Sequence, residues 1–168
     1  NNKVTRYSKC RYCVMKIRIL VMDVDGTLTD GKIYIGSDGE MLKAFNVKDG
    51  LGISKLRTNN IIPAIITGRK SEILKRRSEE LKIEELYQGE ENKIGKLKEL
   101  VERYKCSLSE VAYIGDDEND LQCIKVCGLS GCPADAVESV KEAVDVVCTK
   151  DGGQGAVREF IEYILENH

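Results

Sequence analysis

The sequence predicts an α/β fold, a single Rossmann-like parallel sheet with helices on both faces. Three observations carry that prediction. Short β-rich apolar runs recur at residues 17–22, 61–66 and 111–114, the signature of strands buried on both faces. Between them lie segments with apolar residues at helical spacing, joined by short loops, and this alternation implies parallel strands crossed over by helices. Acidic residues stand directly after two of the runs, Asp23 and Asp25 after the first and Asp116 and Asp117 after the third. Ligands of such sheets bind just beyond the carboxyl ends of the strands.

The elements follow in order. Residues 17–22 form the first strand and lead into Asp23-Val24-Asp25-Gly26-Thr27. Residues 30–45 alternate on either side of Ser37-Asp38-Gly39 and predict a projecting β-hairpin. A helix over 49–59, a strand over 61–66 and a helix over 71–81 come next. A short strand at Leu86-Tyr87 precedes a helix whose Ile94, Leu97, Leu100, Val101 and Tyr104 share one face. The strand ending at Ile114 runs into a helix around Leu121 and Ile124. Strands near Gly128-Leu129 and over 144–147 bracket a segment from Ala134 to Ala143. Val157, Phe160, Ile161, Ile164 and Leu165 make the apolar stripe of a final helix.

The chain's 168 residues suit one domain with a sizeable core, and its 42% apolar and 32% charged content is that of an ordinary globular protein. We expect a basic leader over 1–16, a disordered or linker segment, and a single domain over 17–168. No apolar stretch is long enough to cross a membrane. Residues 1–22 hold Lys3, Arg6, Lys9, Arg11, Lys16 and Arg18 and no acid, so the body is net acidic and nucleic acid is not an expected partner. Of seven cysteines, Cys106, Cys123, Cys127, Cys132 and Cys148 are scattered through expected helices and strand ends, as reduced thiols of a cytoplasmic protein would be. Cys10 and Cys13 have half the spacing of a zinc site, but no second pair follows. No G-x-G-x-x-G follows the first strand, which argues against a dinucleotide.

Two neighbouring buried carboxylates need a cation or a shared proton, so Asp23 and Asp25 point to a metal ion or to acid/base work. An acidic turn punctuated by Gly26 is the plainer alternative. Asp116 and Asp117 suit a metal site or a helix start enriched in acids by the macrodipole. Thr67 reads as a phosphate donor or as an ordinary helix N-cap. Lys93 is a candidate for neutralising a phosphoryl group, where an average lysine is a solvated surface residue.

Taken in order, Asp23-x-Asp25-Gly26-Thr27, Thr67-Gly68, Lys93 and Gly115-Asp116-Asp117-Glu118-Asn119-Asp120 resemble the four motifs of the haloacid dehalogenase-like (HAD) phosphohydrolases. The resemblance covers nearly everything from residue 17 onward. It implies an HAD-like fold, an Mg²⁺-dependent phosphomonoester hydrolase, and a nucleophile at Asp23 that forms an aspartyl phosphate. Asp25 becomes the general acid and base; Asp23, the backbone carbonyl of Asp25, and Asp116 hold the metal, with Asp117 and Asp120 in support. Thr67 and Lys93 bind the transferring phosphoryl group. The chain has no room for a large cap domain, and only the hairpin projects.

Within that superfamily, Asp30-Gly31, residues 45–50, Thr67-Gly68-Arg69, Tyr87-Gln88-Gly89, Asn92-Lys93 and residues 152–159 resemble the capless sugar-acid phosphatases, a family acting on 3-deoxy-D-manno-octulosonate (KDO) 8-phosphate in lipopolysaccharide biosynthesis. That family implies a homotetramer with shared active sites, in which hairpins meet and the glycine-rich segment Gly152-Gly153-Gln154-Gly155 helps close a neighbour's site. Thr27 departs from the Val common in these enzymes, so the reaction is better specified than the sugar. Arg69, Arg77 and Arg158 are candidate ligands of the substrate's carboxylate. Two alternatives stand beside this reading: a sialic-acid or other nonulosonate 9-phosphate phosphatase, and a non-catalytic oligomerisation domain beside a nucleotide-sugar synthetase.

Overall fold

The computed structural model describes residues 16–167, so Cys10, Cys13 and all of the leader except Lys16 lie outside the described residues. Among the described residues eight strands and six α-helices follow one another: β1 (Ile19–Met22), β2 (Tyr34–Gly36), β3 (Gly39–Leu42), α1 (Val47–Thr58), β4 (Ile62–Thr67), α2 (Glu72–Glu80), β5 (Glu85–Gln88), α3 (Lys93–Arg103), β6 (Val111–Ile114), α4 (Leu121–Val126), β7 (Leu129–Cys132), α5 (Glu138–Ala143), β8 (Val146–Val147) and α6 (Ala156–Asn167). Six strands form one parallel sheet in the order β5-β4-β1-β6-β7-β8. The remaining two, β2 and β3, make the expected antiparallel hairpin.

Strand β1 sits in the middle, paired to β4 on one side and β6 on the other. Its alternating side chains are shared between two cores. Leu20 and Met22 join Ile53 and Leu56 of α1, Leu74 of α2, and Phe160, Ile161 and Ile164 of α6. Ile19 and Val21 join Leu97, Leu100 and Val101 of α3, Cys123 and Ile124 of α4 and Val140 of α5. Both faces are therefore covered, which is why the strand lacks the alternation of a half-exposed sheet. Fully burying an Ile, Leu or Phe contributes about 1.5–3 kcal/mol, so these two layers dominate the fold's stability.

Local sequence sets the helix starts. Asn46 caps α1 by accepting from the Lys48 N–H, Ser71 caps α2 through Leu74, and Asn92 caps α3 through Gly95. The segment expected as one stretch from Ala134 to Ala143 is helical only from Glu138. Before it the chain turns, with the Ala136 N–H donating to Pro133 O and the Ala134 N–H to Lys150 O. Among the described residues, Cys106, Cys123, Cys127, Cys132 and Cys148 are free thiols, and burial pushes all five thiol pKa values up. No described helix is long and apolar enough to cross a membrane.

Helices α1 and α2 enclose a small cavity lined by Phe45, Asp49, Arg77 and Ser78 among others. Two buried polar atoms there, Asp49 Oδ2 and Ser78 Oγ, have no hydrogen-bond partner among the described residues.

Candidate active site

The chain order reverses about β1, with β4 to one side and β6 to the other, and the crevice beyond β1 and β6 is the expected ligand position. Asp23 follows β1 directly and is fixed by its own N–H donating to Ile114 O of β6 at 3.0 Å. The chain then turns tightly. Thr27, Leu28 and Thr29 all donate backbone N–H groups to Val24 O. Gly26 permits the turn with φ +93, and a Cβ there would collide with the Asp116 carboxylate.

Lys93 lies at the first turn of α3 with its side chain only 3% exposed, which excludes a solvated surface role. Its Nζ sits 2.8 Å from Asp23 Oδ1 and 2.8 Å from Asp120 Oδ1. Burial disfavours the ammonium, but the charges of Asp23 and Asp120 outweigh it and hold the Lys93 pKa above its ordinary value. Asp120 is fully engaged. It also accepts from Tyr113 Oη at 2.6 Å and from the backbone N–H groups of Asp116 and Asp117. It therefore fixes Lys93 and the β6 loop in place, a role the sequence had suggested only as metal support.

Asp116 and Asp117 separate into different tasks. Asp117 is exposed and caps the short 3₁₀ turn at Glu118–Asp120, accepting from the Glu118 N–H, as a helix-start acid should. Asp116 instead faces across the sheet, where Thr27 donates to its Oδ1 at 2.8 Å. Burial and the Asp23 charge push Asp116 up to about 8, and burial with the Asp120 charge pushes Asp23 up to about 6. Asp23, Asp116 and Asp120 each offer an oxygen within 4.8 Å of the others. One buried ammonium cannot balance three carboxylates, so this donor set fits a hard divalent cation, which takes oxygen ligands.

The other expected residues divide clearly. Thr67 ends β4 and is buried; the cap of the next helix is Ser71, so the N-cap alternative for Thr67 falls away. Arg69 is half exposed, with Nε 3.9 Å from Asp25 Oδ2. Arg77 lies over the Phe45 ring and pairs with Glu80, while Arg158 pairs with Glu162 and donates to Lys48 O. Arg77 is thus held against the residue before α1's cap and Arg158 ties α6 to α1, so among the three arginines only Arg69 contacts a site carboxylate in the described residues. Asp25 makes an ion pair that sequence reasoning missed, 2.5 Å from Lys43 Nζ just after β3.

The glycine-rich segment also has a role within its own chain. Gly152 is buried beneath the loop that follows Asp23, and a Cβ on it would meet Gly26 O and Thr29 O. The Gly153 N–H donates to Thr27 O at 3.1 Å, and Asn46 Nδ2 donates to Gly153 O. The segment buttresses the loop from below.

Residues 76–161 match the haloacid dehalogenase-like hydrolase family. The chain is 46% identical over 149 residues to 3-deoxy-D-manno-octulosonate 8-phosphate phosphatase of Escherichia coli K12, a match spanning 89% of this chain and 79% of the relative. The chain belongs to the haloacid dehalogenase-like hydrolases. Crystal structures of the octulosonate phosphatases superpose on this HAD-type phosphatase over 92% of its length. The Yersinia pestis enzyme gives a TM-score of 0.89 at 45% identity, over 83% of that chain. The Moraxella catarrhalis enzyme, solved with a magnesium ion, a phosphate ion and KDO, gives 0.89 at 42% identity over 89% of its length. Asp23, Thr67, Lys93 and Asp116 each stand at or just beyond a strand end of the sheet or at the start of a helix beside it.

Proposed function

We propose that residues 17–168 act as one Mg²⁺-dependent phosphatase domain that hydrolyses 3-deoxy-D-manno-octulosonate 8-phosphate through an aspartyl-phosphate intermediate. The observation that carries this reading is Asp23, fixed at the end of β1 against Lys93 and facing Asp116. A carboxylate so placed is a nucleophile for phosphorus. Its attack displaces the sugar alkoxide, and Asp25 donates the proton that the departing oxygen takes up. Water then attacks the phospho-enzyme, and Asp25 removes its proton. Lys93 stays beside Asp23 throughout and offsets charge on the phosphoryl oxygens. Buried Thr67 ends β4, the strand paired with β1, and we assign its hydroxyl to the same oxygens.

Mg²⁺ would be held by Asp23, Asp116 and the Asp25 carbonyl, with Asp120 behind them, and when bound it supplies positive charge to the phosphoryl group. Arg69, beside Asp25 at the mouth, is the arginine we assign to the sugar acid's carboxylate. The similarity to the octulosonate phosphatases supports that substrate over a nonulosonate 9-phosphate. The free, high-pKa thiols suit the cytoplasm.

Among the described residues the site has no cap of its own, and the hairpin exposes Ile33, Tyr34, Ile35, Met41 and Leu42. A two-stranded ribbon cannot bury such a surface by itself. We therefore propose a homotetramer in which a neighbour covers each site and excludes water. Phosphate release from a panel of octulosonate and nonulosonate phosphates, with Mg²⁺ and then with the metal chelated, tests the function. No release from any sugar-acid phosphate, or release that survives chelation, would overturn it. Light scattering that found a fully active monomer would overturn the shared site.

A further inference from the structure

The hairpin brings more to the site than an apolar surface. Lys43 leaves the end of β3 and runs its side chain, only 3% exposed, between two carboxylates. Its Nζ is 2.5 Å from Asp25 Oδ1 and 3.2 Å from Glu40 Oε1. Glu40 is held in turn by Ser71, whose hydroxyl donates to Glu40 Oε2 at 2.5 Å. Ser71 is itself fixed, since its N–H donates to the Gln88 side chain and its oxygen caps α2 through Leu74. The chain of contacts runs from the start of α2 through the hairpin to Asp25.

We propose that Lys43, buttressed by Glu40 and Ser71, is a positioning residue that sets where the Asp25 carboxyl group lies relative to the phosphoryl group. The inference rests on the reading of Asp25 as acid and base given above. An ammonium withdrawn from water between two carboxylates has little freedom to move, and a buried pair fixes geometry even where it adds little stability. Asp25 opens the tight turn that follows Val24 and must reach two oxygens in succession, first the leaving one and then that of water. Misplacing such a group by about 1 Å costs on the order of a hundredfold in rate. Both partners of Lys43 belong to this chain and its amine is buried, so it is built to hold Asp25 and not to meet an incoming anion.

The test is single-turnover phospho-enzyme formation in Lys43→Met, Lys43→Arg, Asp25→Asn and the double variant Asp25→Asn/Lys43→Met, each with Mg²⁺. The substrates are octulosonate 8-phosphate, whose alkoxide needs a proton to leave, and p-nitrophenyl phosphate, whose phenolate leaves without one. Lys43→Met should slow formation on the sugar phosphate by about tenfold to a hundredfold, with the half-saturating substrate concentration unchanged and a smaller loss on p-nitrophenyl phosphate. Lys43→Arg should recover much of the rate, and the double variant should be no slower than Asp25→Asn alone.

A raised half-saturation with the rate preserved would make Lys43 a substrate ligand and overturn the proposal. Equal losses on both phosphates, or additive losses in the double variant, would overturn it too. Should Lys43→Met fail to fold, Glu40→Gln removes the buttress alone and must give the same leaving-group pattern at smaller size, or the proposal fails. Asp25→Asn separates the two readings. Without a leaving-group dependence in that variant, the acid role of Asp25 falls; with one there and none in Lys43→Met, only the positioning role falls.

Discussion

Replacing Asp49 with Asn should make this enzyme more stable above pH 6. Asp49 lies in the first turn of α1 and is buried against α2 and α6. Its Oδ1 accepts from the Arg158 N–H at 2.8 Å, but Oδ2 has no partner. Burial raises its pKa to about 6 from 3.8, against the pull of the Arg158 N–H and of the Arg158 and Arg77 charges. That displacement corresponds to roughly 3 kcal/mol of unfavourable free energy when the group is ionised. The sign follows from the raised value. Stability from this carboxyl is fully present below about pH 3.8 and is lost as pH rises through about 6. An amide of the same shape keeps the bond to Arg158 and removes the charge that burial disfavours. Thermal melts across pH 4 to 8 should show the variant's advantage growing with pH, to about 6–12 °C in Tm for a chain of this size. A variant less stable than wild type at neutral pH, or an offset that does not change with pH, would refute the reasoning.

Asp23→Asn should abolish turnover while leaving the melting transition intact, because an amide of the same shape is a poor nucleophile; residual phosphate release would remove Asp23 from its role. Asp116→Ala should raise the Mg²⁺ concentration needed for half-maximal activity, and an unchanged requirement would move the ligand elsewhere. Lys93→Met strands Asp23 and Asp120 without their buried counter-charge, and denaturant unfolding should register a loss of about 3–5 kcal/mol alongside lost activity. Gly152→Ala pushes a methyl group into the backbone of the loop after Asp23, so both stability, by about 1–3 kcal/mol, and turnover should fall.

Much of this molecule was legible before any coordinates. The apolar runs gave the buried strands because a doubly covered strand has no polar face to interrupt its pattern, and Asp23 and Asp116 were visible because they end such runs. The hairpin's existence was legible from its turn, but its reach was not. Lys43 finds Asp25 only because the ribbon folds back over the site, and the pattern of 39–43 carries no mark of that return. Arg77 and Arg158 show the converse. Both were candidates for the substrate's carboxylate, yet Arg77 lies over Phe45 and Arg158 donates to Lys48 O, since composition says nothing of which way a long side chain turns. Asp120 was legible only as one acid in an acidic cluster. Its centrality comes from Tyr113, seven residues away in sequence, and from Lys93 on another helix.

The packing of Gly152 and Gly153 against the loop after Asp23 sets an order on the molecule's assembly. Proteins leave the ribosome amino terminus first. The loop after Asp23 is thus made before its floor and before the α6 residues that close one core. β1 likewise waits for β6 before its second edge is paired. A growing chain that has passed Asp23 but has not yet reached α6 therefore has no finished site around that carboxylate.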